Sequence, residues 1–265
     1  MKKALIVAQG EFSRLLRRLW VPAALVGLAL LCFVLFLTGK GPMNWSAAGL
    51  DRRSASLSGL VLLISSLLGI VVAALSFSSA KGGGMAGLLR SFGLGRCGYL
   101  IGKYAGILAS IATAAGIIVL AGEGVGAGSG AILLGIAAVV TVAIYAAWGA
   151  FFGSACRSSL SAAGSSLAFW FATMFLYEAL GWALFPALPY RIAKPALALF
   201  LALDPAEALR LGAAFLSKRA AALGPEFYYW QLFFLSLPGI LVAFLLFLLH
   251  SALPLLLAAR ASRRA

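Results

Sequence analysis

Residues 54–80 read SASLSGLVLLISSLLGIVVAALSFSSA, and this stretch decides the fold class. It lies between Arg53 and Lys81, and none of its 27 residues is charged. As a helix it would be ~40 Å long at a rise of 1.5 Å per residue, more than the hydrocarbon thickness of a bilayer. The pattern recurs: nineteen uncharged residues separate Lys103 from Glu123, and twenty separate Arg157 from Glu178. Across all 265 residues the chain is 63% hydrophobic and 11% charged, with a mean hydropathy of +1.05. A soluble domain carries about a quarter charged residues. The fold class expected is therefore all-α integral membrane.

Six spanning segments are expected, near 20–38, 56–79, 100–121, 131–153, 160–182 and 231–256. Pro254 would fall in the last turns of the sixth, and Pro238 would kink its start or mark its entry. Residues 2–19 predict an amphipathic helix. Leu5, Ala8, Phe12, Leu15, Leu16 and Leu19 share one face by their three- and four-residue spacing, with Gln9, Arg14, Arg17 and Arg18 mostly away from it. Such a helix lies in the membrane interface. Its bases stand on both sides of an apolar patch, unlike the basic-then-apolar order of a cleaved signal.

The net charge of +14 is placed at the ends of the apolar runs. That placement points to anionic lipid headgroups and to orientation, not to nucleic acid. With both termini inside, thirteen Lys and Arg fall on the cytoplasmic side and eight outside. Arg52 and Arg53 oppose this orientation and the basic first helix favours it. The chain is expected in a cytoplasmic (inner) membrane of a bacterium, both termini facing the cytoplasm.

Absent motifs narrow the chemistry. Cys32, Cys97 and Cys156 have no paired spacing, so neither a disulfide framework nor a zinc site is indicated. His250 is the single histidine, whereas haem and zinc sites need ligands in sets. The four methionines are scattered, leaving no soft-metal path. No phosphate-binding loop is present: around Lys103 the glycine spacing is wrong and Tyr104 stands where Ser or Thr is required. Gly93, Gly95 and Gly98 do form a G-x-G-x-x-G, but no strand precedes them and no βαβ unit surrounds them. No catalytic, cofactor-binding or metal-binding residues are expected.

Several features carry positive information. Gly102 with Gly106, and Gly149 with Gly153, are small residues at helical spacing that permit close helix contact within one bundle. Glu178 is the one acid inside a span, about 27 Å along the fifth at the helical rise, hence near its outer edge. An ionisable residue in a span is a functional candidate; at the edge it can equally meet water or pair with Arg191 or Lys194. The outer segment, 183–230, contains LDPAEALRLGAAFLSK from 203 to 218. There Asp204 can cap a helix, Pro205 suits its first position and Glu207 sits at the capping-box position. Leu209, Ala213 and Leu216 give it an apolar stripe, which fits either an interfacial helix or a docking surface. The inner loop 80–99, AKGGGMAGLLRSFGLGRCGY, offers Leu88, Leu89, Phe92 and Leu94 as apolar anchors among Lys81, Arg90, Arg96 and Lys103. It reads either as a solvated connector or as a short helix presented to a groove on a soluble partner.

These residues carry a resemblance. Glu11-Phe12, followed by arginines and the first span, looks like the opening of ABC-2 type permeases, with Gly10 where that family often has lysine. LLRSFGLGRCGYLIGKYAG resembles the family's coupling segment, with Arg96, Gly102 and Lys103 at matching positions. Lys81-Gly82-Gly83-Gly84 and Gly93 replace its usual acids and turn proline. Within the family, FWFATMFLYEALGW, with its Tyr177-Glu178 pair, and Asp204, Pro205, Glu207 and Arg210 are similar to the NosY group, membrane subunits of the transporter that matures nitrous-oxide reductase. The resemblance implies an ABC-2 (type V exporter-like) permease fold as one domain over 1–265. It implies residues 1–19 as interfacial helix, 80–99 as coupling loop and 183–230 as periplasmic segment. Leu88, Leu89, Phe92, Arg96 and Lys103 would couple to the ATPase. Asp204, Pro205, Glu207 and Arg210 would dock a periplasmic accessory protein. The partners implied are a second copy of the chain, a dimer of cytoplasmic ABC ATPases carrying ATP and magnesium, and membrane lipids. The role implied is in building the copper–sulfur centre of that reductase. The competing readings are a generic ABC-2 drug or lipid exporter, an ion-coupled secondary transporter, and a membrane enzyme.

Overall fold

The computed structural model describes residues 2–18, 52–82, 95–124, 129–189 and 225–264, with scattered positions between 22 and 30 and between 191 and 212. Among the described residues the regular elements are all helical and no strand occurs. They are α1 (Lys2–Arg17), α2 (Arg52–Gly82), α3 (Arg96–Gly124), α4 (Ser129–Ala155), α5 (Ser159–Leu184), α6 (Pro225–Phe234) and α7 (Leu237–Arg264). Helix α5 contains a π turn over Ala172–Leu176. Among the described residues four segments are long and apolar enough to cross a membrane: Gly59–Ala80, Gly135–Ala155, Ser159–Gly181 and Leu237–Ser262. They fall where the second, fourth, fifth and sixth spans are expected. The third expected span lies inside α3, whose 29 residues would extend ~43 Å. The first, 20–38, lies outside the described residues apart from a few positions.

The core is built on glycine contacts. Helices α2 and α4 make the most extensive pairing, and their two spans are each 61% buried. A Cβ at Gly149 would collide with the carbonyl of Ile70, and one at Gly153 would lie 2.5 Å from the carbonyl oxygen of Ala74. With no side chain there, the two backbones touch, and Val72, Ala73 and Phe77 pack against Val142, Ala146 and Ala150. The spans of α5 and α7 are only 11% buried. Their outer faces, with Leu160, Phe171, Phe175, Leu245 and Leu256, are apolar and exposed, as suits helices whose surrounding solvent is hydrocarbon. Trp170 Nε1 of α5 donates to Ser66 Oγ of α2 at 2.8 Å, and the Tyr104 hydroxyl of α3 donates to the Ala143 carbonyl of α4 at 2.6 Å. These bonds tie the peripheral helices to the central pair.

Two expectations are refined. Helix α1 does not lie with the whole of its apolar face outward. It packs along α3, where Gly102 meets the Ala4 carbonyl and Gly106 meets that of Ala8. Leu15 is buried while Leu5 remains 71% exposed. In a bilayer, lipid and protein surroundings both accept an apolar side chain, so periodicity alone does not divide them. The sixth span does not begin near 231: the helix breaks at Leu235–Ser236 and restarts at Leu237. Pro238 sits in the first turn of α7, where its missing N–H costs nothing. Pro254 lies about two turns before the span ends at Ser262, as expected, and α7 continues to Arg264.

Candidate functional site

The buried charged residues among those described are Glu11, Lys103 and Asp204. Two of the three belong to one cluster. Helix α1 presents Ala4, Val7, Ala8, Glu11 and Leu15 at three- and four-residue spacing, and the glycines of α3 draw that face into backbone contact. Glu11, 7% exposed, is thereby carried into the groove between α2 and α3. Its Oε1 accepts from Arg14 Nη2 at 2.6 Å and from Ser76 Oγ of α2. Arg14 Nη2 also donates to Ser76 Oγ at 2.9 Å. Its Oε2 faces Lys103 Nζ of α3 at 3.6 Å. One carboxylate thus meets groups from three helices.

Lys103 is 2% exposed. Its ammonium donates to Tyr99 Oη at 3.4 Å and stands over the rings of Phe77, at 5.4 Å, and Tyr99, at 5.7 Å. The aromatic faces supply cation–π attraction where water is excluded. At 3.6 Å the pair with Glu11 is longer than a charge-assisted hydrogen bond, so it acts through charge more than through a shared proton. Tyr99 precedes the expected third span, and its phenol is pushed up to about 12, by burial first and then by the Glu11 carboxylate. It therefore stays a neutral hydroxyl at any physiological pH and accepts from Lys103.

The location of the cluster matters. Ser76 and Phe77 lie near the end of α2, at Gly82, and Tyr99 and Lys103 near the start of α3, at Arg96. Between them run residues 83–94, which hold the proposed coupling anchors. Leu88, Leu89 and Phe92 lie outside the described residues. Arg96 is the first residue of α3. Lys103, grouped with these by sequence, points inward to Glu11 instead of outward to a partner. Ser76, Phe77 and Tyr99 were not singled out by sequence. The signal was present: a glutamate in phase with Ala4, Ala8 and Leu15, opposite a helix with two glycines four residues apart, turns an acid towards its helical neighbours.

At the other end of the bundle, Glu178 follows the π turn of α5 and is exposed. Its neighbour Tyr177 donates its hydroxyl to the carbonyl of Phe200 at 2.8 Å and stacks on the Phe200 ring at 4.0 Å and 12°. Thr173, within the π turn, accepts from the Tyr145 hydroxyl of α4 at 3.4 Å. Asp204 is 5% exposed, and its carbonyl accepts from the Ala208 N–H at 2.9 Å. Glu207 and Arg210 lie outside the described residues. Among the described residues no three His, Cys, Asp or Glu side chains gather into a set able to hold a metal ion.

No protein-family model matches the chain, and no curated protein matches it.

Proposed function

We propose that this chain is the membrane-spanning permease subunit of an ABC transporter, with six spans in an ABC-2 type fold, working as a homodimer and powered by a separate pair of ATPase subunits. The observation that carries the proposal is the cluster of buried Glu11, Ser76 and Lys103, closed by the half-exposed Arg14, which holds the ends of α2 and α3 on either side of residues 83–94. A connector without a task needs no such anchorage. A loop that receives force from a soluble partner needs both of its roots fixed in the membrane bundle. The resemblance of residues 86–103 to the coupling segment of ABC-2 permeases supports the same reading, as does the lack of a phosphate-binding loop in the chain itself. ATP binding to the partner would shift the permease between inward- and outward-open states by favouring one of them.

The finer reading is a role in assembling the copper–sulfur centre of nitrous-oxide reductase, in a bacterial inner membrane with both termini cytoplasmic. It rests on Tyr177-Glu178 and on Asp204, Pro205, Glu207 and Arg210. Deletion of the gene is expected to leave the reductase exported and folded but without its active centre, so growth on nitrous oxide fails. A plasmid copy restores growth only while the partner ATPase keeps its phosphate-binding lysine. The measurement is the copper and sulfide content of the reductase purified from the deletion strain. A complete centre there removes the finer reading and leaves the permease reading in place, which is tested separately by isolating the chain with its ATPase.

A further inference from the structure

The carboxylate of Glu11 is shared by three helices, and the arrangement is more specific than packing requires. Gly102 and Gly106 already bring α1 into backbone contact with α3. That contact does not involve α2. The bond from Ser76 Oγ to Glu11 is what reaches α2, and the pair with Lys103 is what holds the carboxylate in line with α3. Lys103 in turn rests on Phe77 of α2, so each charge touches both roots of the 83–94 segment. Arg14 closes the ring from the partly exposed side, bonded to both Glu11 and Ser76. Removing the acid leaves an ammonium that is 3% exposed without its counter-charge.

We propose that Glu11 is a positioning residue: it locks α1, the end of α2 and the start of α3 into one rigid unit, so that α1 moves with the loop when the ATPase engages it. This rests on the permease reading for its purpose, but the lock itself is a property of this chain alone. A helix so fastened is part of the lever. A helix held only by lipid would slide in the interface while the loop moved.

The test uses the full-length protein in nanodiscs. Cys97 of α3 is exposed and serves as one spin-label site; Ser13→Cys on the exposed side of α1 is the other, with Cys32 and Cys156 changed to serine. Double electron–electron resonance then reads the α1–α3 distance distribution. Wild type is expected to give one narrow distribution. E11Q and K103M are expected to broaden it at least twofold. E11D, which keeps the charge, is expected to narrow it again. A helix that merely packs would keep its distance and width in E11Q; that result overturns the proposal. Should E11Q fold poorly, K103M still decides, because Glu11 keeps its bond to Arg14 there: a distribution as narrow as wild type in a well-folded K103M also overturns it. The permease reading fails by a different result, namely that wild type isolated from its host membranes carries no ABC ATPase. Where an ATPase does co-purify, E11Q is expected to retain it within about twofold and to lose at least tenfold in transport-linked hydrolysis. Equal coupling in E11Q and wild type counts against the lock.

Discussion

At Gly102, Gly106, Gly149 and Gly153 the side chain is a single hydrogen because another helix's backbone occupies the place of a Cβ. Gly10 on α1 and Gly59 on α2 have nothing within 4 Å of that place. The two groups should answer oppositely to the same change. Gly106→Val is expected to push α1 off α3 and destabilise the protein by at least the ~1–3 kcal/mol of an overpacked core. Gly10→Ala is expected to be neutral or stabilising by up to ~1 kcal/mol, through helix propensity alone. Thermal unfolding in detergent, with protease cleavage of α1 as a second readout, checks both. Trp170→Phe removes the donor to Ser66 and should cost about 1 kcal/mol, the net worth of one hydrogen bond. A buried ion pair is another matter. Removing Glu11 strands the Lys103 charge and typically costs ~3–5 kcal/mol, whereas Glu11 without Lys103 still has Arg14, so E11D, which keeps the charge, is the informative control.

Among elements, the apolar periodicity and charge gaps located four of the six expected spans, and the third fell inside α3. Their ends were legible because charges mark them: Arg53 and Lys81 bracket the segment that became the second span. Two things were not legible. The sequence showed that α1 has an apolar stripe but not which edge faces protein, since hydrocarbon and a neighbouring helix select the same side chains. The break before α7 was written in Pro238, yet the apolar run continues through it, so hydropathy merged α6 into the span. The loop between α2 and α3 carries its own prediction. Phe92→Asp places a charge where an apolar anchor is expected, costing several kcal/mol in a dry groove. It should abolish co-purification of the ATPase or uncouple hydrolysis from transport. Wild-type yield and coupling in that variant would make residues 83–94 a plain connector. In the segment expected outside, Arg210→Glu should, under the proposed reading, weaken docking of a periplasmic partner and leave ATPase binding intact, measured by pull-down of each.

For the whole molecule, the asymmetry of thirteen inner against eight outer Lys and Arg predicts an orientation. Cysteines introduced singly at Gly93, Gly126 and Ala213, in a chain lacking its three natural ones, report it through an impermeant thiol reagent on intact cells. Labelling at 126 and 213 but not at 93 is expected; the reverse inverts the chain. The helical class was legible from the long uncharged runs, and four helices apolar and long enough to cross a membrane agree with it. The candidate site was legible only in part, because its members are distant in sequence. Glu11, Ser76 and Lys103 come together only once three helices are in place, and nothing local in any of them announces the other two.

That separation has a consequence for how the protein is made. Helix α1 leaves the ribosome before α2 and α3, yet its seat does not exist until they have been inserted. Glu11 precedes Lys103 by roughly ninety residues, and at ribosomal speeds that is on the order of 5–20 s. During that interval the helix waits at the membrane surface, where its acid is still hydrated. A helix made before its neighbours is therefore set in place only after them, and a nascent chain stalled before residue 103 would still have α1 loose.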